Sequence, residues 1–320
     1  MRAAWGVTVP LAGLAGARLA GVDRHPALSM ANAGTPFVYL PAWAAFAVGV
    51  AARRPVLATV AASVSAAHAV WTAPELSGPR PLPAAAAGAP RLRVVSSNIR
   101  YPLEDSTALG EELASAGADV LLLQELSPEH VRMIKASGAL DPFAYSYVDA
   151  RHGSFGSGIW SRYPLSKAET WAPGGLPMTR AVLDVEGRAV RVYNVHCKAP
   201  MRRRWVPVWK VQLAEIRAEV EASVLPAVVA GDFNATYGHA PFRHLLAGGL
   251  RDAHVEAGRG LATTWPRGGR PFPALFRVDH VLVTAGLAVE AAREGRGPGS
   301  DHRPVIADLV VTAHPAGLAE

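Results

Sequence analysis

Six apolar runs of this chain end in, or lead out of, side chains that can chelate a metal or move a proton. VVSSNIR ends near Asn98, DVLLLQEL near Glu125 and VYNVHC near His196. VVAGDFNAT carries Asp232 and Asn234, RVDHVLV carries Asp279, and Ser300-Asp301-His302 precedes the last apolar run. Carboxylate and amide oxygens suit hard divalent cations, and imidazole is the side chain that titrates nearest neutrality. Taken singly, a carboxylate at a strand end is a turn or helix-cap residue. Six such elements in one order make a pattern.

The elements that must hold these groups begin at Arg91. Alternating and short apolar patterns predict strands at Arg93–Ser97, Asp119–Gln124, Ala181–Val185, Ala189–Val195, Ala227–Gly231, Val278–Val283 and Val305–Val310. Helical periodicity predicts helices over Leu109–Ala116 and Trp209–Ala222, and Gly187 is placed to turn a hairpin. Many strands with few intervening helices indicate an α+β chain in which two packed sheets are flanked by helices.

With these elements in place, Arg91 to Ala313 resembles the endonuclease/exonuclease/phosphatase superfamily, the DNase-I-like fold. The resemblance rests on Asn98, Gln124-Glu125, His196, Gly231–Asn234, Asp279 and Ser300–His302, with support from GSFGSGIWSRYPL (Gly153–Leu165) and from TTWP around Trp265. It implies a four-layer α/β/β/α sandwich of two packed mixed sheets and a metal-dependent hydrolysis of phosphoric esters, with Mg²⁺ as cofactor and Mn²⁺ as the second candidate. On that footing Asn98 and Glu125 supply metal ligands, and the resemblance adds Asp301. Asp232 orients or deprotonates the attacking water and Asn234 holds a phosphoryl oxygen. Asp279 pairs with His302, raising its pKa and fixing its tautomer, while His196 contacts the phosphate or helps to protonate the leaving group.

Several other residues compete for roles. Arg202-Arg203-Arg204 is either a solvated basic loop or a clamp for a further phosphate, since guanidinium forks match phosphate oxygens. Trp205, Trp209 and Trp265 either pack in the core or line an apolar groove, and Trp265 is taken as a substrate-binding candidate. Alternation sends His280 to the strand face opposite Asp279. His239, His244 and His254 have no partners at convincing spacing and read as surface groups. Cys197 reads as a packed strand residue.

Composition bears on the partner. Half of the 320 residues are hydrophobic and 18% charged, which excludes a disordered or collagen-like chain, and the single cysteine excludes an internal disulfide. The net charge of +6 and pI near 9.8 suggest a nucleic-acid binder. Yet residues 1–74 hold five basic residues and one acidic, +4 of that total, leaving 27 basic against 25 acidic. Within this first part, Pro26–Ala52 and Pro55–Pro74 contain no charge, and Ala3–Ala17, extended to Val22, is a weaker apolar stretch. A bilayer crossing needs ~20 mostly apolar residues, so residues 1–74 are read as a membrane anchor of three transmembrane helices. Two other readings stand beside it: a cleaved signal peptide ending near Ala15-Gly16-Ala17, and buried helices of a soluble domain.

Arg53-Arg54 marks the cytoplasmic loop, and the Asp23-Arg24-His25 loop faces outward, so everything after Pro74 lies outside the bacterial cell membrane. The five prolines between Ala73 and Pro90 make residues 75–90 a semi-rigid tether. Residues 91–313 form the catalytic domain and 314–320 a tail.

Confinement beside a bilayer favours a phosphorylated lipid substrate, and the architecture is similar to membrane proteins linked to teicoplanin resistance that are thought to act on polyprenyl diphosphates. The alternative is an extracytoplasmic nuclease, for which a basic excess of +2 is a weak mark. An inactive membrane-binding module is the remaining reading. No segment signals an obligate protein partner.

Overall fold

Of the 320 residues, the computed structural model describes 1–22, 25–102, 105–266 and 274–313. The 314–320 tail and the Asp23-Arg24 pair of the first expected loop lie outside the described residues. The N-terminal part is helical, with α1 (Arg2–Leu19), α2 (Pro26–Ala33), α3 (Thr35–Val38), α4 (Leu40–Ala51) and α5 (Pro55–Thr72). There follow β1 (Arg91–Asn98), α6 (Thr107–Ser115), β2 (Val120–Gln124), α7 (Pro128–Ala136), β3 (Tyr145–Asp149), β4 (Ser157–Ser161), β5 (Leu165–Trp171), β6 (Met178–Val185) and β7 (Arg188–His196). The chain continues through α8 (Val206–Ala222), β8 (Ala227–Asp232), α9 (Ala240–Leu246), β9 (Arg251–Asp252), α10 (Ala253–Glu256), β10 (Asp279–Val283), β11 (Leu287–Glu294) and β12 (Val305–Val311).

Two six-stranded mixed sheets result, ordered β11–β12–β1–β2–β4–β3 and β5–β6–β7–β8–β10–β9. Each has one parallel pair near its centre, β1 with β2 and β7 with β8. β2 is apolar at every position but its last because both its faces are covered. Val120 and Leu122 point between the sheets, where they join Leu92, Val94, Val192, Val228 and Val281. Leu121 and Leu123 point outward against Leu109 and Leu113 of α6 and Ile134 of α7. On the far side Tyr193 and Val229 meet Trp209 and Leu213 of α8 and Phe242 of α9. Four layers, α/β/β/α, are therefore closed by three apolar seams, in which each fully buried Val, Leu or Phe contributes about 1.5–3 kcal/mol.

The N-terminal helices depart from three simple spans. The second apolar segment divides into α2, α3 and α4, and α2 is bent 78° from the Thr35–Ala51 stretch. Pro36 and Pro41 lack the N–H a continuous helix needs and clash with the preceding turn, so helices restart at each. Among the described residues only Pro55–Leu76 is a helix long and apolar enough to cross a membrane, and the bent pair would make a second.

The helical unit buries polar groups beside a small apolar core of Ala15, Tyr39, Ala42 and Val64, and its outer surface is apolar. Thr8, Arg18, Asn32, Thr35, Ser65, His68 and Thr72 are buried, whereas Trp5, Val9, Leu40, Phe46, Val50, Val56 (67% exposed) and Val70 (71%) face outward.

The unit docks on the catalytic layers. Arg18 Nη1 donates to the Gly238 carbonyl at 2.6 Å, and Thr236 Oγ1 donates to the Ala33 carbonyl at 3.3 Å. Gly238 approaches so closely that a Cβ there would stand 1.6 Å from the Asn32 carbonyl oxygen.

The Pro-rich stretch is held as well. The Arg80 N–H donates to the Glu256 carbonyl at 2.8 Å, and Ala86 and Ala89 pack against Ala288 and Val310. Glu75 reaches Arg277 at 3.5 Å. These contacts differ from a semi-rigid tether; five prolines supply an already extended backbone that can lie along a surface.

Candidate active site

The two parallel pairs end side by side, and their C-terminal ends carry the chemistry. β1 and β2 present Asn98 and Gln124 in register, with Glu125 next. β7 and β8 present His196 opposite Asp232, and β10 places Asp279 opposite Asp232 from the other side. Just beneath, the sheets are tied together by Gln124 Nε2, which donates to Asn194 Oδ1 at 2.6 Å, and by Asn194 Nδ2, which donates to the Leu123 and Gly158 carbonyls. The backbone is bent to suit: Arg100, Glu125 and Asn234 all have positive φ, a conformation that L side chains rarely adopt and that clusters at functional sites. Gly231, at φ 144°, could not be replaced without strain, because a Cβ would stand 1.9 Å from the Val195 carbonyl oxygen.

Asn98, Glu125, Asp232 and His196 converge. Asn98 Nδ2 donates to Glu125 Oε1 at 3.2 Å and to Asp232 Oδ2 at 3.1 Å, while its Oδ1 accepts from the Arg100 N–H at 2.9 Å. The orientation of the amide thus presents nitrogen to the carboxylates, and an oxygen-ligand role would require the flipped amide. His196 Nδ1 donates to the Ser154 carbonyl at 2.7 Å, which leaves Nε2 facing Glu125 and Asp232, each 3.6 Å away. Phe155 stacks on this imidazole at 5.4 Å.

Asp232 is held by the Asn234 N–H at 2.8 Å and by Asn234 Nδ2 at 3.1 Å. Burial pushes its pKa up to about 6, against the lowering influence of His302 and with the help of Asp279. His302 Nδ1 donates to Asp279 Oδ2 at 2.9 Å, and its Nε2 lies 3.8 Å from Asp232 Oδ2. Burial alone would depress this imidazole, but Asp279 and Asp232 outweigh it and raise the pKa to about 10. At neutral pH the site therefore pairs an ionised Asp232 with a protonated His302.

Asp301 lies on the same cavity, where Oδ2 accepts from Trp265 Nε1 at 3.2 Å and Oδ1 is 4.0 Å from Arg100 Nε. The cavity, about 320 Å³, lies within the range of small-molecule sites. Glu125, Asp232 and Asp301 line it together with Arg100, Lys198, His196 and His302.

The donor set fits a hard divalent cation. Glu125 and Asp232 turn oxygens toward one amide and one imidazole, where two like charges favour a cation between them. Separately, Asp232, Asp279 and His302 have potential ligand atoms within 4.8 Å of one another, but His302 could hold an ion only after losing a proton.

The other candidates fall elsewhere. Arg202, Arg203 and Arg204 are exposed and stand outside the cavity lining; Arg202 and Arg204 stack on Trp205, as does Lys198 at 4.3 Å. Trp209 is core, its Nε1 donating to the Phe233 carbonyl. Cys197 is also core, and burial pushes its thiol pKa up, away from nucleophilic use. His280 faces away from the cavity into a buried cluster with Asp252 and Arg277.

Two histidines expected at the surface are buried. His254 pairs with Glu294 at 3.0 Å, and His239 lines the active-site cavity. Their partners Glu294 and Ser29 are 40 and 210 residues away, beyond any local pattern. Lys198, Phe155 and α2 were not singled out from the sequence either. Phe155 and Trp205 meet Lys198 only in the fold, at 5.0 and 4.3 Å.

Two mixed sheets that bring a buried Asp–His pair and further carboxylates to one cavity define a phosphoester hydrolase. A sequence model of the endonuclease/exonuclease/phosphatase family matches residues 95–302, and the chain belongs to that family. It is accordingly a metal-dependent phosphoesterase.

Solved structures share the fold. The endonuclease/exonuclease/phosphatase from Beutenbergia cavernae DSM 12333 is 22% identical with a TM-score of 0.56, over 69% of this chain and 72% of that one. The Bacteroides vulgatus member is 18% identical with a TM-score of 0.56, over 69% and 99%. D. rerio TDP2 complexed with single strand DNA product is 17% identical with a TM-score of 0.57, over 68% and 98%. No curated protein matches the sequence.

Proposed function

We propose that this protein is a membrane-anchored, Mg²⁺-dependent hydrolase of a lipid phosphate or polyprenyl diphosphate, acting at the outer face of a bacterial membrane. The observation that carries this reading is the helical unit docked on the cavity: large apolar side chains cover its exterior, and α2 forms part of the cavity wall. An apolar exterior is what a bilayer accepts and water does not. Arg2 opens α1, and Arg53-Arg54 joins α4 to α5, at the ends away from the Arg18–Gly238 and Glu75–Arg277 contacts. Positive residues on that side support a cytoplasmic location for it and an extracytoplasmic catalytic domain.

Asp232 takes the proton of the attacking water, which its pKa of about 6 permits at neutral pH. Asn234 orients that carboxylate and is available to a phosphoryl oxygen. His302, kept cationic by Asp279, faces the developing negative charge. His196 Nε2, with its tautomer set by Ser154, contacts the phosphate or the leaving oxygen. Glu125, Asp301 and the flipped Asn98 amide would hold the cation, which when bound neutralises phosphate charge and stabilises the leaving oxygen.

The test uses the full chain in detergent with Mg²⁺, given polyprenyl diphosphate, a sphingomyelin-like phosphodiester, plasmid DNA and an abasic oligonucleotide in parallel. Phosphate release from the lipid is the expected result. Rapid DNA cleavage without lipid turnover overturns the reading. The excised residues 91–320 are unsuitable, because they lack one wall of the cavity.

A nuclease is the second reading. The exposed Arg202–Arg204 run beside Trp205 and Lys198 offers cations and a stacking surface for a single strand, and D. rerio TDP2 was solved with single strand DNA product.

A further inference from the structure

The cavity has two unlike sides. Asp232, His302 and Glu125 make one; the other is apolar, built by Pro26, Met30 and Ala33 of α2 with Pro200, Met201 and Phe276. α2 is fixed to the catalytic loop by a defined hydrogen-bond chain. The Thr236 N–H donates to His239 Nδ1 at 3.0 Å, so His239 carries its proton on Nε2 and donates it to the Ser29 carbonyl at 3.0 Å. Trp209 packs edge-on against that imidazole at 5.0 Å. Asp232 ends β8 and His239 closes the loop that follows it, so α2 is held by the segment next to the reacting carboxylate. The apolar side of the cavity is also continuous in sequence with the apolar exterior of the helical unit, since α2 leads into α3 and α4 with Phe37 and Leu40 exposed.

We infer that α2 is the specificity-determining element of the enzyme: Met30, with Pro26 and Ala33, binds the apolar chain esterified to the phosphate. The inference rests on the lipid-phosphate reading and deepens it by naming the part of the substrate that α2 reads. A phosphate carrying an apolar chain places its charge against Asp232 and His302 and its chain along α2. A phosphate carrying a polar or charged substituent would leave that substituent desolvated against Met30.

The experiment compares farnesyl diphosphate with isopentenyl diphosphate, which share a head group and differ in chain length. Full-length wild type is set beside Met30→Gln and Ala33→Val, each checked for unchanged thermal unfolding. In wild type the longer chain is preferred in kcat/KM. Met30→Gln reduces that preference about tenfold, as expected when one or two methylene groups lose an apolar neighbour, with the change carried by KM; Ala33→Val, which narrows the same wall, reduces it in the same direction. A preference unaltered in both variants overturns the role of α2 while leaving lipid-phosphate hydrolysis standing. No turnover of either diphosphate by wild type, with DNA cleaved, removes the proposed function and this inference with it. If Met30→Gln unfolds early, Ala33→Val alone decides.

Discussion

Asp279 and Asp232 face each other across adjacent antiparallel strands, and His302 bridges them, with Nδ1 2.9 Å from Asp279 and Nε2 3.8 Å from Asp232. One imidazole between two buried carboxylates is held cationic, yet the carboxylate nearer the cavity still titrates close to neutrality. The site thus sets a base and a fixed positive charge 3.8 Å apart.

The pH dependence follows from this pairing. Asp232 must be ionised and His302 protonated, so kcat/KM rises as pH passes about 6 and falls as it approaches about 10. A pH–rate profile at saturating Mg²⁺ checks both limbs. A flat response between pH 5 and 7 would refute the assignment of Asp232 as base.

Asp279→Asn removes the strongest influence raising the His302 pKa. The alkaline limb then moves down from about 10 toward an ordinary imidazole value of about 6.5, and kcat falls by ~10²–10⁴, the range for losing the orienting carboxylate of a catalytic histidine. An alkaline limb that stays in place would show that Asp279 does not govern His302.

Asp232→Asn separates activity from stability. The folded pKa of Asp232 lies above its unfolded value, so at neutral pH the ionised group opposes folding. The variant loses at least ~10³ in kcat, and in the presence of chelator it gains on the order of 1–3 kcal/mol in stability. Calorimetry in EDTA beside a phosphate-release assay measures both; a lower melting temperature contradicts the account.

Much of the catalytic domain is legible in the sequence. β1, β2, β7, β8, β10 and β12 have apolar runs that only a doubly covered strand requires, and the polar residues just after β2 and at the ends of β7 and β8, namely Glu125, His196 and Asp232, reach the cavity. β4, inside the glycine-rich segment, is hidden by Gly158, and the exposed β3 and β5 lack a buried alternating face. Gly187 turns the β6–β7 hairpin as its sequence indicates, with Glu186 and Gly187 both at positive φ. The contribution of α2 is not legible, because Ser29 and His239 recognise each other across 210 residues and each looks ordinary among its neighbours. Pro36 and Pro41 were visible within the second apolar segment, but its lack of charge is equally compatible with a straight span and with a bent one.

The buried pair at Arg277 provides a test of structure alone. Burial opposes ionisation of Asp252, yet Arg277 Nη1 at 2.5 Å and His280 at 2.7 Å hold its carboxyl well below the usual range. Arg277 also donates to the Gly260 carbonyl at 3.0 Å. Arg277→Ala leaves Asp252 buried and short of its partner, which costs about 3–5 kcal/mol and roughly 10 °C in Tm. Thermal unfolding of the full chain measures it, and a shift below ~2 °C would mean that water or His280 takes over the charge.

The close approach of Gly238 to Asn32 leaves no room for a side chain, and none for a loosely tethered catalytic domain. A cavity whose reacting groups run from Glu125 to His302 takes one of its walls from residues 26–33. Neither the catalytic layers alone nor the helical unit alone carries the whole lining of the cleft, and a cut between the two would divide it without touching a reacting group.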